Sequence, residues 1–151
     1  MKKIILIAIT LLFLSINYVS ARDIEPVTHN QFGESECAMD LDSVKKISDN
    51  IFSVEVLALG GELTSKDEIS IIKYEINVTT EQFRVIEIYL RNRKTWKISS
   101  SFSNAMIIEA GKGNWKNIEK NSAIELIYLR TLIIGLKGKK YYIDSLSKSV
   151  N

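Results

Sequence analysis

Along residues 51–59 the apolar side chains fall on alternate positions, with Phe52, Val54, Val56 and Ala58 on one side and Ser53 and Glu55 on the other. A period of two marks a half-buried β-strand, because successive side chains of an extended chain point to opposite faces. Gly60-Gly61 breaks the pattern, and residues 62–68 form a polar connection. Residues 69–78 repeat it, with Ile72, Tyr74, Ile76 and Val78 opposite Lys73, Glu75 and Asn77. After the short polar turn Thr79-Thr80-Glu81, residues 83–90 set Ile86, Ile88 and Leu90 opposite Phe83, Val85, Glu87 and Tyr89. Two alternating runs joined so briefly predict an antiparallel hairpin. Asn92-Arg93-Lys94 turns the chain again, and Trp96, Ile98, Ser100 and Phe102 alternate along a fourth segment. The strands predict a meander.

Past the Gly111-Lys112-Gly113-Asn114 loop the period changes. Ser122 followed three residues later by Glu125 has capping-box spacing, in which each side chain satisfies a backbone N–H that a helix start leaves unpaired. A helix is expected from Ser122 towards Ile134, with Gly135 ending it. Its apolar residues, among them Ile124, Ile127, Tyr128 and Leu132, cover more than one face, so it should pack on the sheet. The predicted fold class is α+β, a small antiparallel meander packed by a C-terminal α-helix. Residues 22–35 lack an apolar period and read as a loose N-terminal arm; residues 36–136 form the domain. Residues 137–151 read as a basic, then polar tail in which Tyr141-Tyr142-Ile143 could add a short strand.

The first 21 residues have a different character. Lys2 and Lys3 precede an apolar run from position 4 to position 16, and Val19-Ser20-Ala21 supplies small residues where a signal peptidase cuts. This is the pattern of a bacterial secretory signal peptide with cleavage after Ala21. The run of about thirteen residues is short for a membrane anchor, which needs about 18 to 20. Contact with a membrane is expected only through this segment, during export to the periplasm, cell surface or exterior.

Composition then removes whole classes of function. With 46% hydrophobic and 25% charged residues, one Pro and one Cys, the chain is neither collagen-like, disulfide-dense nor wholly disordered. Its 20 basic residues stand against 18 acidic ones, and loss of Lys2 and Lys3 would balance the two. Without a positive field the chain has no sequence argument for nucleic-acid binding. Cys37, the sole cysteine, reads as a buried small hydrophobe beside Ala38 and Met39, or as an intermolecular bridge or reactive thiol.

Candidate chemistry is sparse. His29 is the only histidine and Cys37 the only thiol, so no zinc pattern is available, and Ser-His or Cys-His catalysis would have to start from that one histidine in the arm and is not expected. Gly60-Gly61 and Gly111-x-Gly113 lack the spacing of a phosphate loop and read as turn residues. Asp40 and Asp42, two apart on an extended segment, resemble paired carboxylates but are read as a solvated turn entry where Asp42 or Ser43 bonds local backbone. Lys137, Lys139 and Lys140 beside Tyr141 and Tyr142 could touch an anionic surface, and are read as a solvated tail. Trp96 and Trp115 are read as core residues, with exposed binding aromatics as the rival. No catalytic residue, cofactor or metal ligand is assigned.

The order of segments resembles the surface-adhesin protein E family. The residues that carry the likeness are Asp40-Leu41-Asp42-Ser43-Val44, then Tyr74 and Glu75 within Lys73-Tyr74-Glu75-Ile76-Asn77, Arg84, Trp115-Lys116-x-Ile118, and Asn121-Ser122-x-x-Glu125. Together they span roughly residues 36–134. The resemblance implies a small exported, non-enzymatic bacterial domain and, for the member that names the family, adhesion to host matrix proteins such as vitronectin and laminin. Family members commonly carry a cysteine just after the Tyr-Glu-Ile-Asp stretch and another late in the helix. Here Val78 stands at the first place and the helix has no cysteine, so that staple is missing. The expected function is binding of another protein, through loops or a sheet edge and with homodimer formation as one route. A periplasmic, envelope-associated domain without a host ligand is the alternative, and acid–base chemistry by Asp40, Asp42 or Glu75 is a third reading.

Overall fold

The computed structural model describes residues 22–29, 35–59, 66–101 and 113–149; the expected signal segment and cleavage at Ala21 lie outside these. Among the described residues, seven strands form one antiparallel sheet: β1 (Ile24–His29), β2 (Ser35–Ser48), β3 (Ile51–Ala58), β4 (Glu68–Asn77), β5 (Gln82–Asn92), β6 (Ile98–Ser101) and β7 (Lys116–Asn117). The first six follow sequence order across the sheet, the predicted meander, and β7 pairs with the start of β5. Helices α1 (Ala123–Lys137) and α2 (Lys139–Ser149) complete the α+β fold. Neither is long and apolar enough to cross a membrane.

The period-two pattern sorts the sheet into two faces. Phe52, Val54, Val56 and Ile76 point to the face covered by α1, and Val54, Val56 and Ile76 join Met39, Leu41, Ile127, Tyr128 and Ile134 in the main core. A second, smaller cluster of Ala38, Leu57, Ile69, Ile71 and Tyr89 lies on the opposite face. Strand β5 can serve both because a bulge interrupts its pairing: Lys73 faces Glu87, but Tyr74 faces Val85, so Ile86 is skipped. The bulge reverses the side-chain parity along β5. Phe83 and Val85 therefore share the helix-covered face with Ile88 and Leu90, correcting the simple alternation expected for that strand.

Within the segment expected as a loose arm, Ile24–His29 form an edge strand. Ile24 pairs with Asp40 and Pro26 with Ala38, and Val27 is buried in the main core. Pro26 is tolerated because β1 has a sheet partner on one side only, where a missing N–H need not break a ladder.

Helix α1 begins as the capping box demands, with the Glu125 N–H donating to Ser122 Oγ at 3.2 Å. The reciprocal bond goes one residue earlier, from the Asn121 N–H to Glu125 Oε2 at 2.6 Å. The helix does not stop at Gly135, however; it continues to Lys137 and is capped by Gly138, whose φ of 87° suits glycine. Gly135 serves packing, since an ideal Cβ there would lie 2.5 Å from the Phe52 ring.

Residues Lys139–Ser149 of the expected polar tail form α2, where Tyr142 is buried and donates its hydroxyl to Glu25 Oε2 at 2.7 Å. Of the basic cluster, Lys137 and Lys140 are exposed as expected, while Lys139 ties α2 to Asp23, just before β1, and to Asp42 of β2.

Candidate binding face on the sheet

Register places three cross-strand rows on the face opposite the helices. The first is apolar: Ala38, Leu57, Ile71 and Tyr89. The second is charged and runs Asp40, Glu55, Lys73, Glu87; the third runs Lys45, Ser53, Glu75, Arg84. Such rows form because directly opposed residues of neighbouring strands share a face. The two latter rows include Ser53, Glu55, Lys73 and Glu75, which period-two reading turns away from the core.

In β2 five residues, 41–45, advance against only two on β3, so the strand bulges between Asp40 and Lys45. The bulge folds back on itself. Asp40 Oδ1 accepts the Asp42 N–H at 3.0 Å, and the Ser43 hydroxyl donates to the Asp40 carbonyl at 2.6 Å. Ser43 Oγ also accepts the Glu55 N–H at 2.7 Å, which stitches the bulge to β3. Asp40 is fully buried, against the expectation of a solvated turn entry, and its carboxylate pairs with the Arg22 guanidinium. Burial holds the Asp40 carboxyl above its ordinary value, with Arg22 pulling the other way. Asp42 is held below its ordinary value, chiefly by the Lys139 ammonium that bonds it.

Across the sheet, Arg91 Nη2 reaches both Glu55 oxygens at 3.2 and 3.3 Å and the Tyr89 hydroxyl at 3.1 Å, while its Nη1 donates to the Trp96 carbonyl at 2.8 Å. The Tyr89 hydroxyl is pushed well above its ordinary pKa by burial and then by Glu55. Both Arg22 and Arg91 stack near the Trp96 ring, 5.3 and 5.7 Å from its centroid. Trp96 holds a φ of 58°, a conformation a bulky residue rarely adopts. The turn enforces it: Asn92 Oδ1 accepts the N–H groups of Lys94 and Thr95, and the Asn92 carbonyl accepts that of Trp96.

A second ion pair lies further along the face. Arg84 donates through Nε at 2.8 Å and Nη2 at 2.5 Å to Glu75 Oε2, and its guanidinium sits 4.5 Å from the Trp115 ring centroid. Trp115 is half-buried under that guanidinium and belongs to neither apolar cluster, so the core reading holds for Trp96 only.

Of the residues that sequence order singled out, Asp40, Asp42 and Ser43 build the bulge, and Glu75, Arg84 and Trp115 form the stack on the same sheet face. Tyr74 lies on the other face, edge-on to Phe83 with centroids 5.9 Å apart, and Ser122 and Glu125 cap α1. Sequence reasoning turned Glu55 away from the core but gave no role to Arg22, Tyr89 or Arg91. Their convergence depends on strand register. Cys37 is half-buried against the main core. Among the described residues, no three His, Cys, Asp or Glu groups converge for a metal. Compared with protein-family models, curated proteins and solved structures, the chain matches none.

Proposed function

We propose that this chain is an exported, non-enzymatic binding protein that holds a protein partner against the sheet face opposite α1. The observation that carries the reading is the Glu75–Arg84–Trp115 stack, a guanidinium fixed between a carboxylate and an indole on strands β4 and β5. Arg and Trp dominate protein-binding hot spots because a rigid, partly apolar surface loses little entropy on docking. A guanidinium already oriented by its carboxylate is prepared for such contact. The resemblance to surface-adhesin protein E supports host matrix proteins as the partner class, and the N-terminal export pattern supports exposure to them.

The test is protease treatment of intact producing cells. Digestion of the chain is expected, together with retention of the untreated protein on laminin or vitronectin. Protection from protease, with release by osmotic shock, would overturn the adhesin reading and favour a periplasmic role.

A further inference from the structure

Beside the Asp40 bulge lies a cavity of about 150 Å³ lined by Arg22, Asp42, Ser43, Lys45, Ser53, Glu55, Lys73 and Arg91. A single water needs roughly 10–15 Å³ of such space, so the cavity has room for a small polyatomic ligand. Charge pairing around it is uneven. Arg22 is engaged by Asp40, Arg91 by Glu55, and Asp42 by Lys139 reaching across from α2. Every carboxylate of the lining is thus already held by a cation. Lys45 and Lys73 remain, and neither makes an ion pair with a described residue. Lys73 stands opposite Glu55 and Glu87 in register, yet its ammonium reaches neither.

Hydrogen-bond donors show the same surplus. The Ser43 hydroxyl is engaged as donor and as acceptor, while that of the buried Ser53 bonds no described residue. Two ammonium groups outside any ion pair and a free hydroxyl among the lining residues are the complement of an anion.

We propose that this cavity binds a compact, doubly charged oxyanion, with Lys45 and Lys73 as its counter-charges and the Ser53 hydroxyl as a hydrogen-bond donor. The proposal stands on the cavity alone and does not depend on a protein partner. A phosphate group and a small dicarboxylate share the required chemistry, and a monoanion matches only one ammonium.

The experiment is calorimetric and NMR titration of the full chain with inorganic phosphate, succinate and acetate at neutral pH and low salt. Saturable binding at one site per chain is expected for phosphate or succinate, with acetate weaker by about tenfold. Whichever dianion binds more tightly identifies the ligand class. Lys45→Gln and Lys73→Gln should each weaken it by about tenfold, the loss of one charge-assisted hydrogen bond. The exposed Lys148→Gln should leave it unchanged. Both variant sites lie outside the apolar cores, and an unchanged melting temperature would confirm folding. Absence of saturation with either dianion overturns the proposal, as does binding that the two cavity variants leave intact.

Discussion

The Phe52 ring fills the space that a side chain at position 135 would need: a Cβ built on Gly135 falls 2.5 Å from the nearest Phe52 ring carbon. This contact sets how closely α1 lies on β3. Gly135→Ala is therefore expected to destabilise the fold by about 1–3 kcal/mol through overpacking, despite alanine's better helix propensity. Phe52→Leu alone removes buried ring surface, but in combination with Gly135→Ala it should recover part of the loss. Chemical denaturation of the two single variants and the double variant measures the coupling. Additive losses would contradict the steric account.

Arg22 and Asp40 yield a pH-dependent effect. The folded Asp40 carboxyl titrates above its unfolded value because it is buried, so its contribution to stability is greatest below the unfolded pKa and is lost as pH rises through the folded one. Arg22 offsets part of that loss by pairing with the charged form. Arg22→Ala should cost about 1–2 kcal/mol at pH 7, less than for a wholly buried pair because Arg22 is partly solvated. As pH falls through the raised Asp40 value the difference from wild type should shrink, since Asp40 is then protonated. Adding Asp40→Asn should recover stability at pH 7, as urea titration of the double variant would show.

The hold of α2 on β1 rests on one buried bond and one exposed pair. Tyr142→Phe deletes the hydroxyl that donates to Glu25 at 2.7 Å and should cost about 1–2 kcal/mol. Lys139→Gln should cost about 0.5 kcal/mol or less, because its pairs with Asp23 and Asp42 are open to solvent. The pH window follows from the directions of shift. Asp42 is lowered by its Lys139 bond, so its contribution is present above the ordinary carboxyl range and is lost as pH falls through the depressed value. Lys139 is raised by its bonds to Asp23 and Asp42, so its contribution is lost only as pH climbs through a value above the ordinary lysine range. NMR titration should therefore place the Asp42 midpoint below, and the Lys139 midpoint above, the ordinary values for these side chains. Midpoints at the ordinary values would refute the pairing.

Much of the sheet is visible in the sequence because Phe52, Val54 and Val56 obey a period that the backbone imposes locally. The same holds for the cap at Ser122 and Glu125, where the partners lie within one turn. What escapes is non-local. The β1 segment has no apolar period of its own and becomes a strand because β2, whose residues 37–40 pair with β3 on one side, offers it the opposite edge. Helix α2 is polar in composition and is fixed by Tyr142 reaching Glu25, 117 residues away. Asp40 is buried by a bulge whose five-against-two count depends on the strand it pairs with. Gly135 reads as a terminator until Phe52 is placed against it. Of the candidate face, Ser53, Glu55, Lys73 and Glu75 were legible in their alternation, but the rows they form require the register.

The binding face is tested most directly by the affinity of the full chain for immobilised laminin and vitronectin, compared with Arg84→Ala, Trp115→Ala and, on the exposed face of α1, Leu129→Lys. Saturable binding is expected for the wild type, with at least about tenfold loss in the Arg84 and Trp115 variants, as for hot-spot side chains, and none in the Leu129 variant. Absence of saturable binding to either matrix protein, or binding that survives both substitutions on the sheet face, would contradict the account.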